Sequence, residues 1–147
     1  MAFCLGTARN EEGETIPLDP RETLVAQLER AASMGYEVKT GAELEFYLLD
    51  PETLKPKDEG ISVYTLDRAA ALEHVLGPIR QQINEMGIDI EQSNPEYAPG
   101  QVEVNIRYAN ALKSADQVIM FRSLVKQLAQ QHGYLATFMA KHNDLIC

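Results

Sequence analysis

The sequence predicts an α+β domain, a mostly antiparallel sheet with helices packed on one face. Three observations predict it. Residues 38–49 and 100–108 alternate apolar and polar side chains, as half-buried strands do. Helical patterns, with apolar residues three and four apart, start near Asp19, Ala69 and Ser114. The resulting order, β-α-β-α-β-β-α-β, mixes tight hairpins with helical crossovers.

Taken in turn, residues 2–8 are apolar enough for a short strand, and Asn10-Glu11-Glu12-Gly13 reads as a turn. Asp19-Pro20-Arg21-Glu22 starts a helix: Asp19 can cap the free amides, Pro20 suits the first position, and Glu22 follows three residues after the cap. Leu24, Leu28, Ala31 and Ala32 form its stripe, and Gly35 ends it. In the strand 38–49, Ala42, Leu44, Phe46 and Leu48 point one way, while Glu43, Glu45, Tyr47 and Leu49 point the other. Asp50-Pro51 closes it, and 54–60 is a polar loop.

A helix follows with Ala69, Leu72, Leu76, Ile79, Ile83 and Met86 on one face, expected to kink or split at Gly77-Pro78 and to stop at Gly87. Residues 88–92 form a short strand that Ser93-Asn94-Pro95 breaks. In the next strand Val102, Val104, Ile106 and Tyr108 share one side; Gln101, Glu103, Asn105 and Arg107 share the other. The last helix spans 114–132, with Ala115, Val118, Phe121, Val125, Leu128 and Ala129 inward, and Gly133 ends it before a strand at 134–140.

Composition narrows the function. The 147 residues are 45% hydrophobic and 24% charged, which suits a folded domain with a core. Thirteen Lys and Arg against 22 Asp and Glu give a net charge of −9, which argues against nucleic acid as a partner. No apolar run approaches the roughly 18–20 residues of a membrane span, and the start lacks a signal peptide's basic region. The expectation is a soluble, cytoplasmic protein with no membrane partner. Cys4 and Cys147 make no ligand spacing and are read as plain thiols.

The informative residues are carboxylates. Glu43 and Glu45 lie two apart on one strand face, roughly 6.5–7 Å from each other along the strand. Glu103 occupies the polar face of another strand, and Glu96 stands just before it, across the turn Tyr97-Ala98-Pro99-Gly100. Each alone fits the wet side of an antiparallel sheet. Two features favour a second reading. Glu forms strands poorly, yet two occupy the most hydrophobic strand. Like charges side by side also repel unless a hard divalent cation such as Mg²⁺ or Mn²⁺ neutralises them.

At these residues the chain resembles the glutamine synthetase family. Gly41-Ala42-Glu43-Leu44-Glu45-Phe46-Tyr47-Leu48 is similar to its G-x-E-x-E-F strand, and Glu96-Tyr97-Ala98-Pro99-Gly100-Gln101-Val102-Glu103 to its E-x-x-P-G-Q-x-E segment. Asp19-Pro20-Arg21 resembles the entry to the first catalytic-domain helix. Ala115-Asp116, Phe121, His132-Gly133 and Ala136-Thr137-Phe138-Met139-Ala140-Lys141 resemble the next helix and strand. The resemblance covers residues 1–141 and implies part of that family's catalytic barrel. It implies ATP-dependent joining of ammonia or an amine to the γ-carboxylate of glutamate, through γ-glutamyl phosphate, with Mg²⁺ or Mn²⁺. Glu45, Glu96 and Glu103 would hold one metal and Glu43 part of a second. Within the family the chain is more similar to the branch of γ-glutamyl ligases for polyamines and other amines.

The resemblance stops after Lys141. The family's G-S-G-x-H-x-H segment, a later acidic ligand and its phosphate-binding arginines have no counterpart here, and residues 142–147 read as a non-matching tail. His142 stands outside any such motif; His74 and His132 are read as surface or capping residues. No catalytic residue is assigned. These 147 residues are expected to be inactive alone; the competing expectation is a non-catalytic assembly or metal-binding module that self-associates.

Overall fold

A computed structural model describes residues 4–57, 60 and 63–141. Two compact units are built on Met1–Thr40 with Tyr108–Gln117, and on Gly41–Arg107 with Val118–Cys147. The tail 142–147, with His142 and Cys147, lies outside the described residues.

In the first unit, helix α1 (Pro20–Ser33) begins as its sequence dictates. Asp19 Oδ1 accepts from the Arg21 and Glu22 amides at 2.8 and 3.3 Å. Its Oδ2 accepts from the Ala8 amide at 2.6 Å. That last bond bears on the expected opening strand: described residues 4–8 form none, and only an isolated bridge joins Arg9 to Thr15 around the Asn10–Gly13 turn. The Arg21 guanidinium grips Asp116 through two parallel bonds, Nε–Oδ1 at 3.0 Å and Nη2–Oδ2 at 2.9 Å.

The second unit is built on an antiparallel sheet in the order β2-β3-β1-β4. Its strands are β1 (Lys39–Leu49), β2 (Ile90–Pro95), β3 (Gln101–Asn110) and β4 (Leu135–Thr137). Helices α2 (Leu66–Glu85) and α3 (Ala111–Gln131) complete the element set. Phe46 and Leu48 from β1 and Val102, Val104 and Ile106 from β3 meet Val75, Ile79 and Ile83 of α2 and Phe121, Val125 and Ala129 of α3 in one core. The expected α+β class, with helices on the apolar face of the sheet, is therefore what forms. No helix of the described residues is long and apolar enough to cross a membrane.

Several details differ from the sequence expectation, each for a physical reason. Alternation along β1 stops at Glu45: Phe46, Tyr47, Leu48 and Leu49 are all buried. There β4 pairs with the strand (Tyr47↔Thr137, Leu49↔Leu135), and the loop folds back so that Leu49 bridges Pro56. α2 runs unbroken through Pro78. Gly77 leaves space for the Glu73 side chain, whose Oε1 lies 2.8 Å from where a Cβ would stand and 2.6 Å from Arg80 Nη2. β2 includes Ser93-Asn94-Pro95, because Pro at the end of an edge strand sacrifices no ladder bond. Met86, Tyr108 and Ala115, expected inward, are exposed. α3 starts three residues earlier than expected, and β4 is shorter.

Candidate metal centre

β3 is the backbone of the site. Val102, Val104 and Ile106 enter the core, so Glu103 and Asn105 take the opposite face. The turn before it is closed by Glu96 N to Gln101 O at 2.9 Å and Gln101 N to Ala98 O at 3.0 Å. At its corner Gly100 has φ +72°, and a Cβ there would lie 2.9 Å from the Leu48 carbonyl oxygen. Only glycine meets both demands. Its own carbonyl accepts from Leu48 N at 2.8 Å, which pins the turn to β1.

Glu45, Glu96 and Glu103 come together here. Gln101 Nε2 donates to Glu45 Oε2 at 2.5 Å while its Oε1 accepts from Ala98 N at 3.0 Å, so one side chain ties β1 to the turn. Glu96 and Glu103 are hydrogen-bonded to each other and are only 6% and 7% exposed. Burial, followed by that bond, pushes the Glu96 carboxyl above the usual carboxylate range; the Tyr64 hydroxyl, also bonded to it, works the other way, and the charges of Glu103 and Glu45 add to the rise. Glu43 is exposed, two residues further along β1, with no bond to the other three. Among the described residues, no three His, Cys, Asp or Glu side chains form a ready coordination shell. The three carboxylates are neighbours, two of them joined through a hydrogen bond.

Sequence reasoning missed Tyr64 and the burial of the pair. Tyr64 is a non-glycine residue at φ +57°, a costly conformation for a side chain of that size. Its amide donates to Pro95 O at 3.1 Å and its hydroxyl pairs with Glu96, so both ends of the residue serve the turn. The carboxylate it faces pushes that hydroxyl above a tyrosine's usual range. Nothing in a lone tyrosine ahead of a helix signals such a role.

The residues present fit a hard divalent cation. Burial raises the Glu96 carboxyl, and carboxylate oxygens are the donors that hard divalent cations take. Fold and site together define an α+β domain whose antiparallel sheet gathers Glu45, Glu96 and Glu103. The comparisons say which one. Residues 17–145 match the family model described as "Glutamine synthetase, catalytic domain". The chain belongs to the glutamine synthetase family. It is 34% identical to the glutamate–isopropylamine ligase of a Pseudomonas species over 88% of its length and 30% of the relative's. It is 36% identical to the glutamine synthetase of Methanosarcina mazei over 96% of its length and 32% of the relative's. The solved GmaS/ADP complex superposes with a TM-score of 0.82 at 35% identity, covering 88% of this chain and 31% of that one. The chain thus spans about a third of the length of the proteins it matches.

Proposed function

We propose that this chain supplies the first part of the active site of an ATP-dependent ligase joining ammonia or an amine to the γ-carboxylate of glutamate. Glu45, Glu96 and Glu103 hold one Mg²⁺ or Mn²⁺, and Glu43 contributes to a second. The observation that carries the reading is the buried, hydrogen-bonded Glu96–Glu103 pair, with Glu45 beside it. Divalent ions supply Lewis-acid polarisation of a nucleotide's γ-phosphate and screen its charge. The chain's own residues orient that chemistry: Gln101 holds the Glu45 carboxylate, Tyr64 holds Glu96, and the Gly100 turn sets the spacing between Glu96 and Glu103.

Relatives named as an isopropylamine ligase and as a glutamine synthetase support glutamate with an amine or ammonia, and a neighbour solved with ADP supports the nucleotide. The reading places the protein in the cytoplasm. Taken by themselves, these 147 residues bind cation without turning over ATP, glutamate and an amine. A second reading, self-association, draws on the sheet: its described edges are β2 and β4, and Leu135 and Met139 near β4 are 41% and 61% exposed. Sedimentation as a monomer at high concentration would end it.

The test of the first reading is Mn²⁺ titration by calorimetry beside Glu103→Gln, which keeps shape and removes charge. Saturable heat in the parent that vanishes in the variant is expected. Equal heats would mean that these carboxylates hold no cation.

A further inference from the structure

One buried group on the same sheet face is unused by the proposed ligand set. Asn105 stands two residues after Glu103 on β3 and is 6% exposed, and its Oδ1 is buried without a hydrogen-bond partner. A buried carbonyl with no donor is costly, and native structures rarely keep one without a reason. Its neighbours in the fold do not supply that donor. Ser93 and Val104 pair on the next rung, and Gln92, across from Asn105 on β2, is exposed. On the other side β1 runs antiparallel; extending the register from the Leu48–Gly100 bond brings Glu45 across from Glu103 and Glu43 across from Asn105. Asn105 therefore lies between carboxylates, which accept hydrogen bonds and cannot donate them when ionised.

We infer that Asn105 is an outer-sphere partner of the cation at Glu103: its side-chain carbonyl accepts a hydrogen bond from a water bound to that ion. The inference rests on the proposed cation site. Glu103 and Asn105 emerge roughly 6.5–7 Å apart along the strand. That spacing leaves room for one metal-bound water between an ion held by Glu103 and the orphaned Asn105 carbonyl. Mg²⁺ and ions like it give up their waters reluctantly, and those waters are strong donors. A neutral amide presents its carbonyl to such a donor and adds no charge to a crowded acidic face. Outer partners of this kind set how tightly a metal is held, by about 10–100-fold.

The test uses the full 147-residue chain and Mn²⁺ alone. Affinity is read by calorimetry and the number of bound waters by proton relaxation of the bound ion, for the parent, Asn105→Ala, Asn105→Asp and Glu103→Gln. Asn105→Ala is expected to weaken binding about tenfold with the water count unchanged, and Asn105→Asp to tighten it. Parent affinity in Asn105→Ala, with binding still lost in Glu103→Gln, overturns the inference and leaves the cation site standing. One extra bound water in Asn105→Ala overturns it too, because the amide would then be a direct ligand. Unchanged affinity in Glu103→Gln removes the cation site and the inference with it. Should Asn105→Ala fail to fold, judged by circular dichroism, Asn105→Asp decides: unchanged or weaker binding overturns the inference.

Discussion

Asp19 and Asp50 close local turns and point at donors; Glu96 and Glu103 point at each other. Asp19 accepts three backbone amides, and Asp50 accepts from Glu52 and Thr53 amides at 3.0 and 2.9 Å. Both lie below the ordinary aspartate range, chiefly because of those amides: Ala8 for the first, Thr53 for the second. Glu96 lies above the ordinary range because it is buried against another acid. The same functional group is a fastener in one region and a stored repulsion in the other. Where local rules of polar satisfaction are broken in an otherwise consistent fold, function is the usual reason.

Cation binding should separate the two regions most strongly. Glu96→Gln is expected to weaken Mn²⁺ binding about a hundredfold, at roughly 1.4 kcal/mol per factor of ten, whereas Asp50→Asn leaves it unchanged. Calorimetry on both variants checks this, and equal losses would erase the distinction. Gly100→Ala comes next. It forces a side chain into φ +72° and against the Leu48 carbonyl, so a loss of about 1–3 kcal/mol in urea unfolding is expected, with Mn²⁺ affinity falling as the turn shifts. Smaller and opposite in sign is the effect of removing the repulsion. With no divalent ion present, Glu103→Gln should stabilise the chain by about 1 kcal/mol, raising the melting temperature by roughly 2–4 °C. The exposed Glu43→Gln should stay within about 0.5 kcal/mol of the parent. A destabilised Glu103→Gln would show that the pair is structural.

The fold class was legible because it depends on short-range pattern. Period-two alternation through β3 fixed which side Glu103 takes, and the Asp19-Pro20 start of α1 is a purely local cap. What escaped depends on partners distant in sequence. Tyr47 and Leu49 look solvent-facing until β4, nearly ninety residues on, pairs with them. Residues 4–8 carry strand-like composition yet pair with no strand among the described residues, and Asp19 takes the Ala8 amide. Pro78 argues for a break only if the helix is judged alone; Leu76 and Ile79, both in the core, hold it on either side. The burial of Glu96 and Glu103, and Tyr64 at the pair, arise from chain segments that converge only in three dimensions.

The last contrast is in pH dependence, and its two regions should titrate in opposite senses. Asp19 and Asp50 have folded values below the ordinary 3.8, so each is deprotonated more readily in the folded chain than in the unfolded one. Their contribution is complete above about pH 3.8 and is lost as pH falls through the lower folded values. Glu96 is raised above its ordinary 4.5, so the folded chain holds its proton more tightly. That contribution is present below 4.5 and fades as pH rises through the folded value, until a divalent ion replaces the proton. Urea midpoints measured between pH 2.5 and 7 should therefore show an acid limb that Asp19→Asn makes shallower. Without cation they should also show a shallow decline above pH 4.5 that Glu96→Gln removes and Mn²⁺ reverses. An acid limb unchanged by Asp19→Asn would show that the cap's amides bond as well to an amide oxygen as to a charged carboxylate, and the contrast between the regions would then rest on Glu96 alone.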